Sequence, residues 1–176
     1  MANNRHEKQL SELSKLVAEY IGDQRAEFRE KGRPISSKDT GRLSRFFPAD
    51  VLENVRIIGG RIAEPSFYSQ LPKMGIDNAP PFSDMAGITF EDVIIHAAPL
   101  SRSLLFHELV HAVQYKHLRR KRFAELYVSG FFRGGSYEEI PLEKQAYELE
   151  ARYAENPTVP FSVEDDVKRR IRTDSF

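Results

Sequence analysis

The stretch from Leu104 to Tyr115, Leu-Leu-Phe-His-Glu-Leu-Val-His-Ala-Val-Gln-Tyr, constrains this chain more than any other. At helical spacing, Leu104, Leu105, Phe106, Leu109, Val110, Ala112 and Val113 leave almost no polar face, and a helix apolar all round must be covered on every side. A buried central helix is therefore predicted. The exceptions are His107, Glu108 and His111, which are costly to bury without partners. Two histidines four residues apart sit one above the other on one helix face. Their imidazoles can take two corners of a zinc tetrahedron, with Glu108, one position round, leaning toward the open coordination site. Bound zinc lowers the pKa of its water to roughly 7, and a carboxylate beside that water can take its proton and pass it on. The bland alternative is two histidines hydrogen-bonded within a core, with Glu108 at the surface.

Catalytic zinc needs three protein ligands and an open position, so a third donor is expected downstream. Residues 141–155 predict a helix with Pro141 in its first turn and Leu142, Ala146, Leu149 and Tyr153 facing inward. This helix offers Glu143, Glu148 and Glu150, while Glu138 and Glu139 precede it. Glu143 lies in the first turn in register with Ala146, whose small side chain lets two helices approach closely. Glu143 is the expected third ligand; the bland alternative is that all these glutamates are surface helix residues.

His107-Glu108-Leu109-Val110-His111 followed by Glu143-Lys144-Gln145-Ala146 resembles the zincin metallopeptidases, in the gluzincin-like branch whose third ligand is a glutamate. It is similar to small bacterial zincin-like domains in which H-E-L-x-H-x-x-Q precedes an E-x-x-A helix. The resemblance spans roughly residues 88–153. It implies a small sheet with an edge strand facing a cleft, an active-site helix, and a helix carrying the third ligand. It also implies zinc on His107, His111 and Glu143, with Glu108 as general base. Two departures stand out: Tyr147 occupies the position four after Glu143 where thermolysin-like enzymes place an aspartate, and no third histidine follows at metzincin spacing. The groups that hold the imidazole tautomers are thus unassigned. For the oxyanion, Tyr137 and Arg133 are candidates, because a phenol or guanidinium can donate to developing negative charge.

The rest of the chain supplies the scaffold. Leu10, Leu13, Val17, Tyr20, Ile21 and Phe28 recur at helical spacing between Glu7 and Lys31, predicting an amphipathic helix that ends near Gly32 and Pro34. Residues 35–41 and 50–54 read as turns, residues 42–47 as a short helical turn, and Val55 to Ile58 as a strand. Pro65 to Asp84, with four prolines, Gly75 and Asp77-Asn78, reads as a long irregular loop, either functional or a surface excursion. Residues 85–96 predict a hairpin turning at Glu91-Asp92, with His96 a strand-end residue and not a ligand. An exposed strand edge over Ile88 to Ile95 could hold an extended peptide by backbone pairing. Ser101 starts the metal helix, Gly134-Gly135 ends the helical pattern resumed at Phe123, and Ser162 caps a last helix through Arg172.

With 176 residues, a single α+β domain over 1–176 is expected, with the N-terminal helix in 1–34 and the metal-binding core in 85–155. Basic and acidic residues balance at 26 each, which argues against nucleic-acid or anionic-membrane partners. The basic run Lys116 to Arg122 reads as a solvated face; a nucleic-acid patch is the sharper alternative. There is no cysteine, no apolar leader in the first eight residues and no long apolar run. The expectation is a soluble, cytoplasmic zinc metallopeptidase acting on a peptide or protein. The alternatives are a zincin-fold peptide-binding or regulatory module without turnover, and a metal-dependent hydrolase of a non-peptide amide. An intact Glu108 favours the enzyme, since a binding module needs no general base.

Overall fold

A computed structural model describes residues 2–74, 76, 79 and 81–176. Gly75, Asp77-Asn78 and Pro80, read above as turn signals, lie outside the described residues. Six helices, α1 (Ala2–Phe28), α2 (Ser37–Leu43), α3 (Ala49–Asn54), α4 (Arg102–Gly134), α5 (Pro141–Glu155) and α6 (Val163–Arg172), surround a small sheet, an α+β arrangement. The sheet order is β1 (Arg33–Pro34), β2 (Arg56–Gly59), β4 (Val93–His96), β3 (Gly87–Phe90). β2 runs parallel to β4, and the other two pairings are antiparallel. β3 and β4 form the expected hairpin, turning at Glu91-Asp92 with Glu91 at φ 58°. β3 is an edge strand.

The apolar sequence around the histidines has the predicted consequence. α4 packs against α1, α5, α6, α3 and β3, and every residue from Leu105 to Tyr115 is buried. Phe106, fully buried, stacks on Tyr153 of α5 with ring centroids 4.3 Å apart and meets Phe46 and Phe47 edge-on. Rings packed this way fix the rotation of α4 and hence the direction of His107 next to Phe106. Ala146 is fully buried, as close helix approach requires. A second close approach lies further along: a Cβ on Gly130 would stand 2.7 Å from Pro141 Cδ, so only glycine lets the start of α5 seat against α4.

Several expectations need correction. Residues 37–43 and 49–54 are helical, not turns; Ser36 caps α2 by accepting from the Asp39 N–H, a capping signal within an otherwise polar stretch. The segment 65–84 is not irregular throughout, because Ser66–Met74 and Phe82–Asp84 form 3-10 helices that bury Phe67 and Leu71. α1 ends at Phe28, and β1 follows where only a helix end was expected. α4 is two helices joined at Arg119, whose φ of 64° and ψ of 161° are non-helical. Three of the basic residues around this kink form ion pairs near the surface: Lys116 with Asp50 and Glu164, His117 with Glu164, and Arg120 with Glu91, while Arg119, Lys121 and Arg122 are exposed as a solvated face requires. Among the described residues no helix is long and apolar enough to cross a membrane.

Candidate metal centre

His107 and His111 leave α4 one turn apart, and Glu143 reaches them from the first turn of α5, where a helix N-terminus favours a carboxylate. All three are buried, at 5%, 5% and 2% exposure. Their ligand-capable atoms lie within 4.8 Å of one another, forming a group that could hold a metal ion. The facing atoms are closer still. His107 Nε2 and His111 Nε2 are 3.1 Å apart, and Glu143 Oε2 lies 3.4 Å and 3.3 Å from them.

These three edges test the fit. With metal–ligand bonds of about 2.0–2.2 Å, neighbouring corners of a tetrahedron stand ~3.3–3.6 Å apart. The imidazole and carboxylate atoms therefore form one face of such a tetrahedron to within a few tenths of an ångström. Glu143 Oε2 is also buried without a well-formed hydrogen bond, a rare condition for a carboxylate oxygen unless another partner is meant for it. Two imidazoles and one carboxylate are one of the donor sets that bind zinc.

The cluster shifts its own titration. Burial alone would lower His107, but the Glu143 and Glu150 carboxylates outweigh it and raise the imidazole to about 10. Burial would raise Glu143, yet His111 and His107 hold it well below the usual carboxylate range. Glu108 is different: burial pushes it up, while both imidazoles and a hydrogen bond from Thr89 pull against that rise.

Glu108 lies against β3. Thr89 Oγ1 is 2.7 Å from Glu108 Oε2 and 3.0 Å from the Glu108 carbonyl oxygen, so its hydroxyl can donate to the carboxylate. A Cβ on Gly87 would fall 2.7 Å from Glu108 Oε1 and 3.2 Å from Cδ, so that position admits the carboxylate only as glycine. The predicted strand thus forms the wall that holds Glu108. An apolar cavity of about 120 Å³ opens from Glu108, His111 and Glu143 toward Tyr20, Phe67, Phe90 and Phe131.

The remaining nitrogens of the two rings are also engaged. His107 Nδ1 meets Glu150 Oε2 at 3.1 Å; the carboxylate can only accept, so Nδ1 is the donor. His111 Nδ1 lies 2.9 Å from Gln114 Oε1. Neither partner is evident from the sequence. Four residues after Glu143, Tyr147 sets its ring 4.6 Å from His107. Glu150, seven residues on and two full turns along the same face, was the signal to follow.

The other candidates separate cleanly. Glu139 pairs with Lys144 and Glu148 with Arg170, both away from the cluster. His96 Nδ1 meets the Ala98 carbonyl, outside the group. Tyr137 lines the cavity with Glu143, its phenol kept protonated chiefly by burial and then by that carboxylate. Arg133 is exposed and donates back to the Ser129 carbonyl of its own helix, so it is not brought to the centre. No protein family, no curated protein and no solved structure matches this chain.

Proposed function

We propose that this chain is a zinc-dependent peptidase of zincin type, with His107, His111 and Glu143 as ligands and Glu108 as general base. The observation that carries the reading is the triangle of Nε2, Nε2 and Oε2 atoms with edges of 3.1, 3.3 and 3.4 Å, which matches a tetrahedral face and leaves the fourth corner for water. Zinc bound there would supply Lewis acidity, acidifying a water and polarising a substrate carbonyl.

The chain's own residues would do the rest. Glu108 takes a proton from the attacking water and returns it to the leaving amine as the C–N bond breaks. Burial raises its carboxyl above the ordinary carboxylate value, which favours a group that takes up a proton and later releases it. Thr89 and Gly87 hold it in place from the edge strand. Tyr137, a protonated phenol beside Glu143, is the candidate donor to the developing oxyanion. The edge position of β3 suits backbone pairing with an extended peptide, and the apolar cavity suits a substrate with an apolar side chain near the scissile bond.

The test is cleavage of a diverse peptide mixture by zinc-loaded protein, read by mass spectrometry, beside Glu108→Gln. Cleavage that needs zinc and vanishes in the variant supports the proposal. Binding without turnover would favour a peptide-recognition module instead.

A further inference from the structure

We propose that the buried amides Gln114 and Gln145, anchored by Asp166 on α6, act as a directional relay that positions His111 for the metal. The inference rests on the metal-site reading above. The relay runs in one line: Gln145 Nε2 donates to Asp166 Oδ1 at 2.7 Å, and Gln114 Nε2 donates to Gln145 Oε1 at 3.0 Å. Gln114 Nε2 also donates to the Leu142 carbonyl at 3.0 Å, and Gln114 Oε1 faces His111 Nδ1 at 2.9 Å. Both glutamines are fully buried, so no solvent competes for their polar atoms.

The direction follows from what each group can do. A side-chain amide can be turned either way, but a carboxylate and a backbone carbonyl only accept. Asp166 therefore claims the NH₂ of Gln145, which turns the oxygen of Gln145 to Gln114. The NH₂ of Gln114 spends its two hydrogens on that oxygen and on Leu142, so its own oxygen must face His111. Nδ1 of His111 is then the donor, and the lone pair of the ring is left on Nε2, the nitrogen 3.3 Å from Glu143. Asp166 remains an acceptor because Arg169 and Arg170 flank it. A C-terminal helix with no chemistry of its own thus specifies which nitrogen of His111 is free, and it does so across three residues.

Four variants test this: Gln114→Met, Asp166→Ala, Asp166→Asn, and Asp165→Ala as an exposed control on the same helix. Two readouts are taken on folded protein, the zinc dissociation constant by competition with a chromophoric chelator, and the ring-nitrogen NMR signals of His111 in metal-free protein. Loss of an outer partner typically weakens metal binding about 10–100-fold, so Gln114→Met should fall in that range and Asp166→Ala near its ~10-fold lower end. Asp166→Asn keeps an acceptor oxygen and should stay within about threefold of wild type, as should Asp165→Ala. At a pH alkaline enough to leave the ring neutral, His111 should show a protonated Nδ1 and a bare Nε2 in wild type, and mixed tautomers in Gln114→Met and Asp166→Ala. Unchanged affinity and tautomer in Asp166→Ala would overturn the relay, as would equal loss in Asp166→Asn and Asp166→Ala. If the wild type binds no zinc, the metal reading fails, and the His111 signals still decide the relay.

Discussion

Replacing Glu143 by Gln keeps the shape of the side chain and removes its charge from the centre of the cluster. Glu143 and His107 are both buried and 3.4 Å apart, so the change strips a buried imidazole of one of its two carboxylate partners. Breaking such a pair costs about 3–5 kcal/mol when the remaining charge cannot escape. His107 can escape by losing its proton, which places the expected cost at neutral pH at or below ~3 kcal/mol, less than the usual 5–15 kcal/mol of a whole domain. The variant should therefore fold. The pH dependence is the sharper readout. His107 holds its proton more tightly folded than unfolded, with a value of about 10 against an ordinary 6.5. Its stabilisation is full below pH 6.5 and is lost as pH rises through about 10. Glu143 is lowered, so its contribution is present above its ordinary 4.5 and is lost on acidification below that. Urea titrations of metal-free wild type should give a stability plateau between about pH 4.5 and 6.5 that declines from there toward pH 10. In Glu143→Gln the alkaline decline should be smaller and end at lower pH, the acid loss should shrink, and zinc affinity should fall sharply. Glu139→Gln, which breaks only an exposed pair with Lys144, should change stability by about 0–1 kcal/mol and leave zinc binding intact. Identical stability–pH curves for wild type and Glu143→Gln would refute the reasoning.

Three further outcomes follow from single contacts. Glu108→Gln should retain metal and fold while peptide hydrolysis falls about 10²–10⁴-fold, measured as kcat/KM, because an amide cannot accept the proton of the water. Gly87→Ala should leave zinc affinity unchanged and lower kcat, since its methyl group would meet the Glu108 carboxylate at 2.7 Å; an unaltered kcat would show that Gly87 does not shape the base. Arg119→Gly should stabilise the protein. Relief of about 1–3 kcal/mol of backbone strain outweighs the ~0.5–1 kcal/mol entropic cost of glycine, a rise of a few degrees in Tm by calorimetry.

The centre was legible in the sequence where the requirement was local. His107, Glu108 and His111 share one helical turn, and an apolar surround can be read from adjacent positions. Glu143 could be reached because Pro141 marks a helix start and Ala146 permits close approach, and the structure brings its carboxylate to both rings. The hairpin and the caps at Ser101 and Ser162 were equally local signals. What escaped depended on tertiary placement. Glu150 looks like any surface glutamate until α5 is laid across α4, and Gln145 and Asp166 are separated by a loop and a helix boundary. Thr89 and Gly87 sit in a short strand whose face toward Glu108 is set only when the sheet packs on α4. The short helices α2 and α3 were misread because runs of six or seven residues give too few turns for an apolar period to emerge.

The most direct test of the account is X-ray absorption at the zinc edge on protein loaded with zinc and freed of excess metal, paired with elemental analysis. The account predicts one zinc ion per chain, with a first shell of two imidazole nitrogens and oxygen from Glu143 and water at about 2.0–2.2 Å, and a weakened imidazole signature in His107→Ala. Protein that takes up no stoichiometric zinc, or a zinc shell unchanged by His107→Ala, would contradict it.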